Sequence, residues 1–321
     1  MTLDNFSVLH KENFKKPYVS MVIITTGKNL TNIRKLLCSI KMQDFKNYEV
    51  VIATESNSSE LKELCKSLDM DCAIVEAGYW NRCRTGNSAI IRSKGELVAL
   101  LEDDVELDPY WLSKVIRCIN VGRDTGCAYS TVITPLGSES IIAKIYMKPL
   151  RFVVKAINVL RAHHHIARKN LKVFSLTVIC RKEALLKAGL FDIRVEEPIV
   201  AEDYDLALRI RKAGYKIVSC SEAKALHYTL HAYKRALLAL EKGPKWWEKL
   251  IENDTYFFAK HYDLLGVVIL THALYNAFFS PLALLLKLKM NLHIRFFIAV
   301  SIHSIKGSFT GLIRGILAEH G

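Results

Sequence analysis

The chain has 321 residues, half of them hydrophobic, which is ample for a large α/β domain or a domain with an appendage and excludes a chain too polar to build a core. It carries 45 basic against 32 acidic residues, a formal net charge of +13, a surplus that points to nucleic acid, acidic lipid headgroups or a phosphorylated substrate, with a solvated basic surface as the plain alternative. The eight cysteines form no C-x-x-C pair, which excludes a zinc site of that kind. Cys38, Cys65, Cys72 and Cys180 lie inside apolar runs, where reduced cysteine packs as a small hydrophobe, so a reducing compartment is expected. Met1 to Lys16 is polar and lacks the apolar stretch of a signal peptide.

In chain order, the first elements are short apolar runs at Val19–Ile24, Tyr48–Ala53, Cys72–Val75 and Leu97–Leu101, which lack polar alternation, as strands buried on both faces do. Between the first two, Ile33, Leu36, Leu37 and Ile40 fall at helical spacing. Between the next two, Asn57–Leu68 repeats that spacing through Leu61, Leu64, Cys65 and Leu68, and Asn57 with Glu60 has the form of a capping pair. Strand alternating with helix predicts a parallel α/β sheet of the nucleotide-binding kind, with its ligand beyond the carboxyl ends of the strands.

Residues 140–172 contain no acid but carry Lys144, Lys148, Arg151 and Lys155 on a helical stripe interspersed with apolar residues. A basic amphipathic helix of this kind suits a membrane surface. The α/β signals return from Phe174 to Tyr228, where Asp205–Gly214 has the pattern of a short helix and Lys216–Cys220 that of a strand. Farther on, Leu264–Leu286 has no Asp, Glu, Lys or Arg, whereas Phe296–Ile305 is apolar but too short to span. No acid occurs between Asp263 and Glu319, while Lys287, Lys289, Arg295, Lys306 and Arg314 do, so interfacial helices or a shallow hairpin on the cytoplasmic face of the cell membrane are expected, with a true span by Leu264–Leu286 or a soluble helical cap as the alternatives.

Two acidic clusters carry the chemistry. Glu102-Asp103-Asp104 directly follows the apolar run Leu97–Leu101, and three carboxylates at a strand's exit repel one another unless a cation offsets them. A divalent metal bridging a diphosphate does this, since hard cations take carboxylate and phosphate oxygens together. Glu202-Asp203-Tyr204-Asp205 precedes the short helix; Asp205 suits a helix cap, while Glu202 and Asp203 lie upstream, where an acid can serve as a general base.

The ordered set of motifs resembles a family 2 glycosyltransferase. It comprises Val19–Thr26, Tyr48–Ile52, Asn87–Gly95, Leu101–Asp104 followed by Asp108–Leu112, Ala188–Asp192 and Glu202–Tyr215, and it spans residues 18 to about 228. The resemblance implies a GT-A fold, an α/β architecture with a mixed, mostly parallel central sheet, here with a C-terminal hydrophobic helical appendage. The expected organisation is an extension at 1–17, a transferase domain at 18–260 and a membrane-associated helical region at 261–321. The domain divides into a nucleotide-binding half at 18–135, the basic insertion at 140–172 and an acceptor half at 173–260.

The implied activity is metal-dependent, inverting, non-processive transfer of a sugar from a nucleoside-diphosphate donor to an acceptor hydroxyl or phosphate, with a lipid-linked acceptor expected at an anionic membrane surface. Mg²⁺ or Mn²⁺ would be held by Asp104, Glu102 and His227; Asp203 would be the base, supported by Glu202; and Thr26, Glu55, Asn87, Glu102 and Asp103 would contact the donor. The chain departs from the family pattern at Thr54-Glu55, in place of an Asp pair, at Thr25–Lys28 after the first strand, and at Glu102, in place of the first Asp. Trp246-Trp247 lacks the arginine that accompanies the acceptor motif of processive synthases. Alternatives are a nucleotidyltransferase, for which Gly27-Lys28 is a thin phosphate loop, a lapsed scaffold, and a basic membrane- or nucleic-acid-binding protein. Nucleic acid is disfavoured because the basic segments lack interleaved aromatic platforms.

Overall fold

A computed structural model describes residues 16–55, 57–78, 81–133, 177–228, 241–261 and 294–319. The expected basic insertion at 140–172 and the apolar run at 264–286 lie outside the described residues. The chain divides into two compact units: 1–135 with 174–193 and 206–228, and 136–173 with 194–205 and 229–321.

The first unit is built on β1 (Val19–Thr25), α1 (Leu30–Lys41), β2 (Tyr48–Thr54), α2 (Ser58–Ser67), β3 (Cys72–Glu76), α3 (Arg82–Arg92), β4 (Leu97–Glu102), β5 (Val105–Leu107), α4 (Trp111–Ile119), β6 (Thr125–Ile133), β7 (Thr177–Arg181), α5 (Lys182–Lys187) and β8 (Lys216–His227). The strands form one sheet in the order β3-β2-β1-β4-β7-β6-β8-β5. β1 through β4 are mutually parallel, β7 is antiparallel to β4 and β6, and β6 runs parallel to β8. The expected mixed, mostly parallel sheet is therefore present.

Every residue of β1 is buried, which is why its sequence shows no polar alternation. α1 buries the four residues whose spacing announced it, Ile33, Leu36, Leu37 and Ile40, and Asn29 caps it by accepting the N–H of Asn32 at 3.2 Å. Buried Gln43 donates to the carbonyls of Ser39 and Asp108 and accepts the N–H of Leu112, fastening the end of α1 to the start of α4. Gly95 lets the chain turn into β4 hard against β1, because a Cβ there would meet the backbone nitrogen of Ser20.

The structure corrects several sequence expectations. Asn57 precedes α2 with φ 64° and its side chain makes no capping bond; its amide donates to the Gly27 carbonyl at 3.5 Å. β8 does not stop at Cys220 but continues to His227, with a register shift against β6 that absorbs the polar stretch after Cys220. Cys180 is not a lone thiol: it is bonded to Cys127 across the β6–β7 ladder, and Cys118 on α4 is bonded to Cys220 on β8. Cys38, Cys65 and Cys72 are free, as expected.

The second unit contains α7 (Pro244–His261) and α8 (Ile294–Glu319). Helix α6 (Glu202–Lys212) carries the boundary between the units within its own length. The expected start at Asp205 is three residues late. Ala201 adopts φ 62°, and its carbonyl accepts the N–H of Asp205 at 3.0 Å, so the first turn already contains Glu202 and Asp203. A core of Val200, Trp247, Leu250, Ile251 and Val300 joins the two C-terminal helices to the segment before α6. Trp247 is spent on this packing and donates its indole N–H to Ser304 at 2.8 Å.

Candidate active site

The parallel half of the sheet sets the stage. β1, β2 and β4 are in register and end at Thr25, Thr54 and Glu102, so Thr26, Glu55 and the acidic triplet leave the sheet at the carboxyl ends of adjacent parallel strands. β5 then turns back and pairs antiparallel with the end of β8, with Val105 opposite His227. The Tyr228 N–H donates to the Asp104 carbonyl at 3.0 Å, which closes this corner and brings a histidine distant in sequence against the triplet.

His227 Nε2 lies 3.1 Å from Asp104 Oδ1 and 3.4 Å from Glu102 Oε2. One ligand atom from each of Glu102, Asp104 and His227 lies within 4.8 Å of the others. Asp104 and His227 are buried, and Glu102 also bonds the guanidinium of Arg82, which opens α3. Burial pushes the imidazole pKa down, but hydrogen bonds and charge from Asp104 and Glu102 outweigh it and raise the value to about 9. A proton on His227 thus supplies positive charge between two carboxylates. Two carboxylates and an imidazole that converge at bonding range also form a donor set suited to a divalent cation.

Asp103 turns to other partners. Thr25 donates its hydroxyl to Asp103 Oδ2 at 2.5 Å and accepts the Gly27 N–H at 2.9 Å. Burial raises the Asp103 pKa, opposed by the Thr25 hydrogen bond and reinforced by the charge of Asp104. Thr26 and Glu55 are half-buried at the neighbouring strand ends. The Asn87 carboxamide exchanges two hydrogen bonds of 2.9 Å with the backbone of Phe191, which ties α3 to the loop after α5. Sequence reasoning passed over Arg82 and Thr25. The signal for both was position, since each stands at or just beyond a strand exit on the parallel half of the sheet.

Glu202 and Asp203 occupy the first turn of α6, where the helix N-terminus favours negative charge. Asp203 Oδ1 accepts the Tyr204 N–H at 2.8 Å, and Glu202 is buried. The segment leading to them is held by the C-terminal helices: Asn253 donates to the carbonyls of Glu196 and Pro198, and Arg314 to that of Arg194. Asp205, expected as a helix cap, is instead fully buried within the helix, three residues past its start. Its Oδ1 lies 2.5 Å from Lys260 Nζ and 2.7 Å from His261 Nε2.

Residues 20–182 match the profile of glycosyl transferase family 2. The chain belongs to this family. The uncharacterized protein y4gI of Sinorhizobium fredii is 25% identical over 238 residues, which cover 66% of this family 2 chain and 24% of that protein. The GalNAc(5)-diNAcBac-PP-undecaprenol beta-1,3-glucosyltransferase of Campylobacter jejuni is 26% identical over 111 residues, 33% of this chain and 36% of that enzyme. The chain thus matches only about a quarter to a third of the length of these curated relatives. Among solved structures, the mannosyltransferase PcManGT of Pyrobaculum calidifontis, in complex with GDP-Man and Mn²⁺, superposes with a TM-score of 0.55 at 16% identity, covering 94% of this chain and 87% of that one. Residues 1–349 of S. aureus TarS give a TM-score of 0.55 at 14% identity, covering 90% and 80%. These likenesses establish the GT-A fold for this glycosyltransferase.

Proposed function

We propose that this glycosyltransferase moves a sugar from a nucleoside-diphosphate donor to an acceptor hydroxyl or phosphate on a lipid-linked carrier, by metal-dependent, inverting, non-processive displacement. The observation that carries the reading is the convergence of Glu102, Asp104 and His227 at the carboxyl end of β4, in a chain of this family. These three residues would hold Mg²⁺ or Mn²⁺. When bound, that ion would neutralise the charge of the departing nucleoside diphosphate. PcManGT, solved with GDP-Man and Mn²⁺, and the TarS structure in complex with UDP-GlcNAc support a nucleotide-sugar donor, and the undecaprenol-linked substrate named for the Campylobacter jejuni enzyme supports a lipid-linked acceptor.

The protein's own residues divide the remaining work. Thr26, Glu55 and Asp103 would contact the nucleotide, and Thr25 would hold Asp103 in place through its short hydrogen bond. Asn87 would act beside the donor by fixing α3. Asp203 would take the proton from the acceptor as it attacks, with Glu202 beside it, and the helix N-terminus favours the charged carboxylate this role needs. The attack forms the new glycosidic bond and breaks the anomeric carbon–phosphate oxygen bond on the opposite face. The bonding pair leaves with the nucleoside diphosphate.

A panel of nucleotide-sugars, assayed for diphosphate release with Mn²⁺ and with chelator, tests this reading. Asp203→Asn should keep donor affinity near normal and lower turnover on the order of 100-fold or more. Proportionate loss of donor binding would make Asp203 a donor contact instead of the base.

A further inference from the structure

Helix α8 is built inside out relative to the helices of the first unit. Gly307, Gly311 and Gly315 face α7 so closely that a Cβ on any of them would run into α7 backbone, at the carbonyls of Glu248, Glu252 and Tyr256. Ser304 and Ser308 are buried on the same side. Val300 is buried, but six large apolar residues point the other way: Ile298, Ile302, Phe309, Ile313, Ile316 and Leu317 are each 44% to 67% exposed. At 3.6 residues per turn they fall within an arc of about 100°, centred opposite the Gly/Ser face. Helices that pack in water do the reverse, turning their large apolar residues inward. Small residues at the helix–helix contact with large aliphatic ones outward is the arrangement that lipid favours, since hydrocarbon gives a leucine or isoleucine no reason to be buried in protein.

From this geometry we infer that the outward face of α8 is a bilayer-docking surface, with the helix lying in the plane of an anionic membrane and its apolar stripe among the upper acyl chains. These six lie on one side of a single helix, whereas the exposed large hydrophobics of the first unit, such as Met42, Ile91 and Val121, are scattered. Charge agrees: no acid occurs from residue 264 to 318, while that stretch holds Lys287, Lys289, Arg295, Lys306 and Arg314. Lys306 falls within the arc, between Ile313 and Leu317; it is exposed and pairs with Glu248 at 2.9 Å. The helix has 26 residues, and among the described residues no helix is long and apolar enough to cross a membrane. This inference stands apart from the sugar-transfer reading.

The test is flotation of the full-length protein with vesicles of phosphatidylcholine and phosphatidylglycerol, beside the triple variant Ile302→Ser, Phe309→Ser, Ile313→Ser. The wild type should float with the vesicles, and the variant should lose binding by about tenfold or more while keeping its helical circular dichroism. If the variant fails to fold, Phe309→Trp gives a second readout: brominated acyl chains should quench the fluorescence that this substitution adds. A wild type that stays at the bottom of the gradient, or added Phe309→Trp fluorescence untouched by brominated lipid, overturns the proposal and leaves the stripe covered by the chain's own residues. A lipid-free dimer that the triple substitution makes monomeric, with vesicle binding unchanged, overturns it in favour of a second copy. Donor hydrolysis by the same variant in detergent should match the wild type, so a failed membrane result leaves the catalytic reading separately measurable.

Discussion

Asp104 and Asp205 are both buried carboxylates, yet their surroundings set them different tasks. Asp205 lies against the ammonium of Lys260 and against His261. Asp104 lies against His227, whose positive charge depends on a proton, next to Glu102, which adds a further negative charge. The first is a fixed ion pair that holds a helix in place. The second is a negative centre balanced by a proton-dependent charge, in a group that could hold a divalent cation. Burial alone does not tell the two apart; the groups set against each carboxylate do.

The sharpest way to break this comparison is to remove Asp205. Asp205→Ala would remove the buried carboxylate set against Lys260 and His261, and the unfolding free energy from urea titration should fall on the order of 3–5 kcal/mol. A loss below about 1 kcal/mol would mean that the pair behaves as a surface salt bridge, and the distinction would collapse. Gly311→Leu probes the same unit by steric means. Its side chain would have to displace the Glu252 backbone, so it should cost roughly 1–3 kcal/mol by the same measurement, without changing metal-dependent donor binding in folded protein.

The smallest effect concerns pH. The folded-state pKa of His227 is raised to about 9, so its pairing with Asp104 and Glu102 contributes stability that is fully present below its unfolded pKa of about 6.5 and is lost as pH rises through about 9. A bound metal would compete with the proton for the same imidazole. Divalent-cation affinity, followed by calorimetry, should therefore strengthen from pH 7 toward pH 9 and lose this dependence in His227→Gln. An affinity flat with pH in the wild type would remove His227 from the ligand set.

The parallel half of the sheet was legible because each of its strands is an uninterrupted apolar run, and the helices between them repeat at helical spacing. The acidic triplet announced itself by standing directly after Leu101. Pattern could not reveal long-range contacts. Nothing near Asp205 in sequence predicts Lys260 and His261 as its partners, and nothing near Asp104 predicts that β8 continues past a polar stretch to deliver His227. Resemblance supplied His227 where periodicity could not. Nor does pattern show that α8 packs on α7 or that Arg314 reaches the Arg194 carbonyl, in one unit with the segment before Asp203. Charge distribution, read as sequence, gave the direction of the membrane inference, but only the structure showed which face of α8 is apolar.

The central claim, that Glu102, Asp104 and His227 form an exchangeable metal centre serving a nucleoside diphosphate, is tested most directly by electron paramagnetic resonance of Mn²⁺ titrated into wild type and Asp104→Asn in the presence of UDP or GDP. The account predicts a protein-bound Mn²⁺ signal that grows with nucleotide in the wild type and vanishes in the variant, whose urea midpoint stays near that of the wild type. Nucleotide binding that is indifferent to Mn²⁺ and to the Asp104→Asn substitution would contradict it.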